Sequence, residues 1–221
     1  ARMRDLIRAS VFVALCVPAL STQAQSFHDA SHLLPEALPG TSLLIGASAV
    51  DVNSDGLVDL YRPGQLFVQQ PDGTFLNQRN ETGLSDEGEA VFGAIFGDYT
   101  NDGFPDLFIE DISTPSYLFR NRGDGTFARS DPEATGDIVA LTQGSASGDF
   151  NADGKLDLFV GSDDGLNLLY LNEDFETFRN ATLGSGITVE RNSYGVAASD
   201  YDRDGDLDIF IAACSGDSER S

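Results

Sequence analysis

The sequence predicts an all-β fold assembled from repeated four-stranded units, and three observations lead to it. An acidic nine-residue pattern with Asp at positions 1, 5 and 9 and Gly at position 6 starts at Asp51, Asp98, Asp149 and Asp200, at intervals of 47, 51 and 51 residues. A second marker ends at Phe75, Phe127 and Phe178, at intervals of 52 and 51, and a Gly follows each Phe after 8, 9 and 8 residues, at Gly83, Gly136 and Gly186. Two markers that keep one period identify a structural repeat. Between them the apolar residues fall in short runs bounded by Gly and Asp, with no helical period. Four short strands in about fifty residues is the unit of a β-propeller blade.

Residues 1–24 stand outside this pattern. Arg2, Arg4 and Arg8 precede an apolar run from Val11 to Leu20, and Ser21, Thr22, Gln23 and Ala24 supply small and polar residues before Gln25. That is the form of a secretory signal peptide, because about ten apolar residues are too few for a span of about twenty. Met3 is read as the translation start. Cys16 lies inside this segment and Cys214 is alone beyond it, so no disulfide framework is expected.

The segment 25–43 is expected to be a closing strand. Phe27 and the four residues after it resemble Phe178 to Thr182, and Phe27 precedes its acidic pattern by 24 residues, against 23, 22 and 22 for Phe75, Phe127 and Phe178. Blades follow at about 44–91, 92–141 and 142–192, with an incomplete blade over 193–221. In each, a small-residue run such as Phe92 to Gly97 or Tyr194 to Ser199 leads into the acidic loop. An apolar run leaves it (Leu107 to Ile109, Leu158 to Val160, Ile209 to Ile211), and a third follows (Leu66 to Val68, Tyr117 to Phe119, Leu168 to Leu171). A hairpin turn, Asp72-Gly73 or Asp124-Gly125, then opens the fourth. Seven blades at this period would need about 350 residues, so the 221 residues are expected to form about half a ring. Further acidic loops are expected past Ser221, and residues 25–221 alone are expected to associate through exposed blade faces.

Composition narrows the function. Thirteen Lys and Arg stand against 36 Asp and Glu, a net charge of −23, which argues against nucleic acid and anionic membranes as partners. Hydrophobic residues at 41%, with 15 Phe, are enough to bury a core, which excludes a disordered chain. No segment past the signal is apolar enough to insert in a membrane.

The acidic loops space oxygen ligands around a hard cation. Side chains at positions 1, 3, 5 and 9 and the carbonyl at position 7 assign Asp51, Asn53, Asp55, Leu57 and Asp59 to the first site. The second has Asp98, Thr100, Asp102, Phe104 and Asp106, with Thr100 its weak point. Asp149, Asn151, Asp153, Lys155 and Asp157 form the third; Asp200, Asp202, Asp204, Asp206 and Asp208 form the fourth and most acidic. Ca²⁺ takes six to eight oxygens in irregular geometry, Mg²⁺ needs a stricter octahedron, and zinc would want thiol or imidazole. An EF-hand is excluded, since position 12 holds Arg62, Ile109, Val160 and Ile211 in place of Glu. Up to four Ca²⁺ are expected.

Phe92-Gly93 and the four loops resemble the FG-GAP/VCBS repeats of integrin-α-like propellers. The loop pattern, together with the Asn121 to Phe127 run (Asn-x-Gly-Asp-Gly-Thr-Phe), looks most like bacterial secreted proteins that end in an ASPIC/UnbV domain. The resemblance covers about residues 27–213. It implies a seven-bladed calcium-binding propeller on an exported, periplasmic or cell-surface protein, acting in adhesion or in binding a protein or glycan. Related propellers also occur in polysaccharide lyases and phospholipases, so an enzyme scaffold is the alternative. No acid, His or Lys cluster outside the repeat marks a catalytic site, and no catalytic residue is assigned.

Other motifs carry less. Arg122-Gly123-Asp124 spells an integrin-recognition tripeptide but falls in the hairpin turn of the repeat. Asn80 and Asn180 begin glycosylation sequons, which matter only in a host that glycosylates. His28 and His32 are four apart, a spacing that converges on a metal only in a helix.

Overall fold

The structure is a computed structural model that describes residues 29–35, 46–84, 91–111, 116–131, 142–162, 165–175, 177–188 and 193–213. The expected signal segment, Cys16, Phe27, His28, Gly136 and Cys214 lie outside them. The described part is built from fourteen strands and one 3-10 turn.

Three antiparallel four-stranded sheets follow one another along the chain. The first is β1 (Ser48–Val50), β2 (Asp59–Arg62), β3 (Gln65–Gln69) and β4 (Phe75–Asn77), paired in that order. The second is β5 (Val91–Gly97), β6 (Asp106–Asp111), β7 (Tyr117–Asn121) and β8 (Phe127–Arg129). The third is β9 (Thr142–Gly148), β10 (Asp157–Ser162), β11 (Leu168–Asn172) and β12 (Phe178–Asn180). A fourth sheet pairs β13 (Ser193–Ser199) with β14 (Asp208–Ala213). Each acidic loop joins the first strand of a sheet to the second.

The hairpin markers recur as one turn. Gln70, Arg122 and Glu173 donate their N–H groups to the carbonyls of Thr74, Thr126 and Thr177, at 2.8, 2.9 and 2.9 Å. Asp72 and Asp124 each accept the N–H and the hydroxyl of the Thr two residues on. In the third repeat Asp174 does this from three residues away, and Phe175 adopts a positive φ of 68°. The Arg122 tripeptide is therefore part of the turn, its Asp124 carboxylate engaged by Thr126.

Sheets pack face to face. Tyr61, Leu66 and Val68 of the first meet Leu107, Ile109, Phe119 and Phe127 of the second. Phe108 and Leu118, on the opposite face, meet Leu158, Val160, Tyr170 and Phe178 of the third, together with Tyr99. The central strands β6 and β10 are buried along their whole length because both faces are covered. Phe108 and Phe159 are 0% and 3% exposed, whereas Phe210, their repeat equivalent on β14, is 72% exposed. Gly83 shows why a glycine follows the marker in the first repeat: its φ is +80°, and a Cβ would fall 2.4 Å from the Phe127 carbonyl oxygen.

Of the segment expected to form a closing strand, residues 29–35 are described. They hold a 3-10 turn at Ser31–Leu33, and the positions equivalent to β12, from Phe27 on, lie mostly outside the described residues. The Ser31 N–H donates to Asp29 Oδ1 at 2.9 Å, as the Thr182 N–H donates to Asn180 Oδ1 at 3.0 Å just after β12. The likeness to the Phe178 segment thus extends to the turn after the strand. His32 lies in that turn.

Candidate metal centre

The four acidic loops share one backbone path. Position 4, held by Ser54, Asn101, Ala152 and Arg203, has φ between 54° and 65°, and the position 6 glycines have φ between 84° and 101°. A left-handed residue at position 4 costs of order 1 kcal/mol, so the fold holds the same strained curl four times.

Hydrogen bonds fix the carboxylates inside that curl. Asp51, Asp98, Asp149 and Asp200, at position 1, accept N–H groups from positions 5 and 6. Position 5 carboxylates (Asp55, Asp102, Asp153, Asp204) accept the N–H of Leu57, Phe104, Lys155 and Asp206 at position 7, at 2.8–3.0 Å. At position 3, Oδ1 of Asn53, Asn151 and Asp202 accepts the position 5 N–H. Thr100 departs: its hydroxyl donates to Asp106 Oδ2 at 3.1 Å.

Position 9 is the hinge between loop and sheet. Asp59, Asp106 and Asp157 are fully buried. One oxygen of each accepts the position 2 N–H, and the other accepts the N–H of Gln69, Asn121 or Asn172 at the end of the third strand. Burial pushes these three carboxyls above the ordinary aspartate value. The charges of Asp51 and Asp55, of Asp102, and of Asp149 and Asp153 push the same way against the lowering effect of the N–H bonds. In the fourth loop, carboxylate oxygens of Asp200, Asp202 and Asp208 lie within 4.8 Å of one another. An all-oxygen set with mutually repelling carboxylates is chemistry that a hard divalent cation relieves.

Two residues that sequence reasoning did not single out tie neighbouring loops together. Asn121 donates through Nδ2 to the Val52 carbonyl of the first loop at 2.7 Å and to the Pro105 carbonyl of the second at 3.1 Å. Asn172 repeats this between Tyr99 of the second loop and Leu156 of the third, at 2.8 and 3.2 Å. The only signal in the sequence was Asn at the head of the Asn121 to Phe127 run; its partners, 69 and 73 residues away, leave no local trace.

The FG-GAP-like repeat matches three times in tandem, over residues 51–109, 98–160 and 149–211, each match running from one acidic loop through the next. The chain belongs to the FG-GAP-like repeat family. It is also similar to cartilage acidic protein 1 of Homo sapiens, 32% identical over 129 residues, and of Xenopus tropicalis, 30% identical over 123 residues. Those alignments cover 54% of this chain and 18–19% of the relatives, so the chain spans about a fifth of their length. The three four-stranded sheets and the β13–β14 pair are the FG-GAP-like repeats seen as structure.

Within these repeats the third loop departs from the others. The Lys155 ammonium pairs with the Asp153 carboxylate, which holds the Asp153 carboxyl below its ordinary value, and it lies 5.8 Å from the Phe175 ring centre. A resident ammonium competes there with any metal ion for one of the acidic ligands.

Proposed function

We propose that the chain is a calcium-binding β-propeller module of an exported or cell-surface protein. Its cations are structural, and the module binds a protein or glycan partner. The observation that carries this reading is the fourfold recurrence of one curled, all-oxygen loop with the same internal hydrogen bonds. Asp51, Asn53, Asp55 and Asp59, with the Leu57 carbonyl, would hold the first ion, and the equivalent residues of the other loops the next three. Bound there, calcium supplies charge neutralisation for carboxylates that the fold holds together, and no reaction passes through it. The three sheets would be successive blades of a larger ring, of which this chain supplies about half. The likeness to bacterial secreted proteins with an ASPIC/UnbV domain belongs to the same proposal, as does export through residues 1–24.

The partner is tested by screening the chain in calcium and in chelator against a glycan array and extracellular matrix proteins. Binding that needs calcium and leaves the ligand chemically unchanged supports the reading. Hydrolysis or elimination of a polysaccharide overturns it in favour of an enzyme scaffold.

A further inference from the structure

The first strands of consecutive sheets lie side by side, and at their ends away from the acidic loops they border an open cavity of about 520 Å³. Gly46, Gly93, Gly144 and Gly195, which occupy one register of the repeat, all line it. Ligand pockets commonly fall between about 300 and 1,000 Å³. Small residues explain the space without explaining what fills it. A second observation bears on that.

Glu110 also lines the cavity, and among the described lining residues it is the only charged side chain. It stands opposite Gly93 in the β5–β6 register, where the third and fourth sheets place Gly161 opposite Gly144 and Ala212 opposite Gly195. In those two sheets a small residue stands here, and this sheet carries a carboxylate. A Cβ on Gly93 would fall 2.3 Å from Glu110 Oε2, so the carboxylate occupies the room that the glycine leaves. Glu110 is 3% exposed. Burial pushes its carboxyl above the ordinary glutamate value, against the lowering influence of nearby Ser145. Burying an ionised carboxylate without a cation beside it is costly, and no described Lys, Arg or His lines the cavity. Tyr194, 44% exposed, forms part of the wall.

We propose that this cavity is a binding site for a small organic cation, an alkylammonium or guanidinium group on a short apolar stem, which is neutralised by Glu110. One carboxylate cannot meet the six to eight oxygens of calcium, so this site is distinct in chemistry from the acidic loops. The net charge of −23 draws cations toward the protein and repels anionic ligands. The glycine backbones set the width of the cavity. The site goes beyond the calcium-module reading and does not depend on it.

The test is calorimetric and NMR titration of the full chain with butylammonium and butylguanidinium, with n-butanol as the neutral control, in saturating calcium at physiological salt. The cations are expected to bind saturably and at least about tenfold more tightly than butanol, a difference of about 1.4 kcal/mol. Glu110→Gln is expected to lower cation affinity at least about tenfold while the chain still melts cooperatively. Glu173→Gln, which removes an exposed carboxylate that does not line the cavity, is expected to leave cation affinity unchanged. Equal binding of butanol, no saturable binding of either cation, or equal cation binding by Glu110→Gln overturns the proposal. The first two outcomes need no variant, so the test stands even if Glu110→Gln fails to fold.

Discussion

Replacing Asn121 with Ala removes three hydrogen bonds at once. Val52 and Pro105 lose the donor to their carbonyls, at 2.7 and 3.1 Å, and the Gly123 N–H loses its acceptor at 2.9 Å. Asn121 is 3% exposed, so water does not replace these bonds freely. A buried polar group left without a partner costs about 1–3 kcal/mol. The three losses do not add fully, because Gly123 and Pro105 are half-buried and reach water after small shifts; a net cost of about 3 kcal/mol is expected. In a chain of 221 residues that lowers the melting temperature by about 6–12 °C. Gln69 is the internal control. It has the same place at the end of β3 and the same backbone bond, to Asp59, but its side chain only accepts the exposed Val58 N–H. Gln69→Ala should cost about 0.5 kcal/mol or less. Thermal and urea unfolding of both variants in saturating calcium decides the matter. Equal stability of the two variants would refute the bridging role of Asn121.

Two further outcomes are expected. The Glu110 carboxyl is raised by burial, so the native state holds its proton more firmly than the unfolded chain. Stability then falls as pH rises from the ordinary glutamate range through the raised value, and the penalty is complete above it. In the absence of a cationic ligand, Glu110→Gln should raise the melting temperature at neutral pH by about 2–4 °C, a gain of about 1 kcal/mol. The difference should vanish below the ordinary glutamate range; a constant difference across pH would contradict this origin. At the third loop, Lys155→Gln frees Asp153 from its ammonium partner. Calcium should then bind that loop about two- to fivefold more tightly, with the gain shrinking as salt rises, and a calcium titration that shows no change would remove Lys155 as a competitor.

What the sequence reveals here is what repeats. The fifty-residue period places the strands within a residue or two, because each acidic loop and each hairpin turn has a backbone path that only Gly, Asp and Asn adopt easily. Loop residues are likewise legible, since their bonds run within nine positions. Contacts between sheets are not. Asn121 and Asn172 act on carbonyls of the preceding repeat, and no period announces that. Glu110 is hidden for the opposite reason. It breaks the register where Gly161 and Ala212 keep it, and a reading tuned to the repeat passes over an exception inside an apolar run. Position 9 was read only as a metal ligand. In three sheets, burial and two backbone N–H bonds also make it the anchor between loop and sheet.

The central claim is that calcium in the acidic loops holds this fold together, and melting the chain in about 1 mM calcium against excess chelator tests it most directly. Extracellular sites bind at about 10⁻⁴–10⁻³ M, so each occupied loop contributes roughly 0.4–1.4 kcal/mol. Four loops together then supply a few kcal/mol of a stability of about 5–15 kcal/mol. The account predicts a clear fall of the melting temperature in chelator, restored by calcium. It also predicts that calcium rescues Thr100→Ala more fully than Asp204→Ala, because the Thr100 hydroxyl is already bonded to Asp106, whereas Asp204 is the carboxylate proposed to hold the ion. Identical melting curves in calcium and in chelator would contradict it.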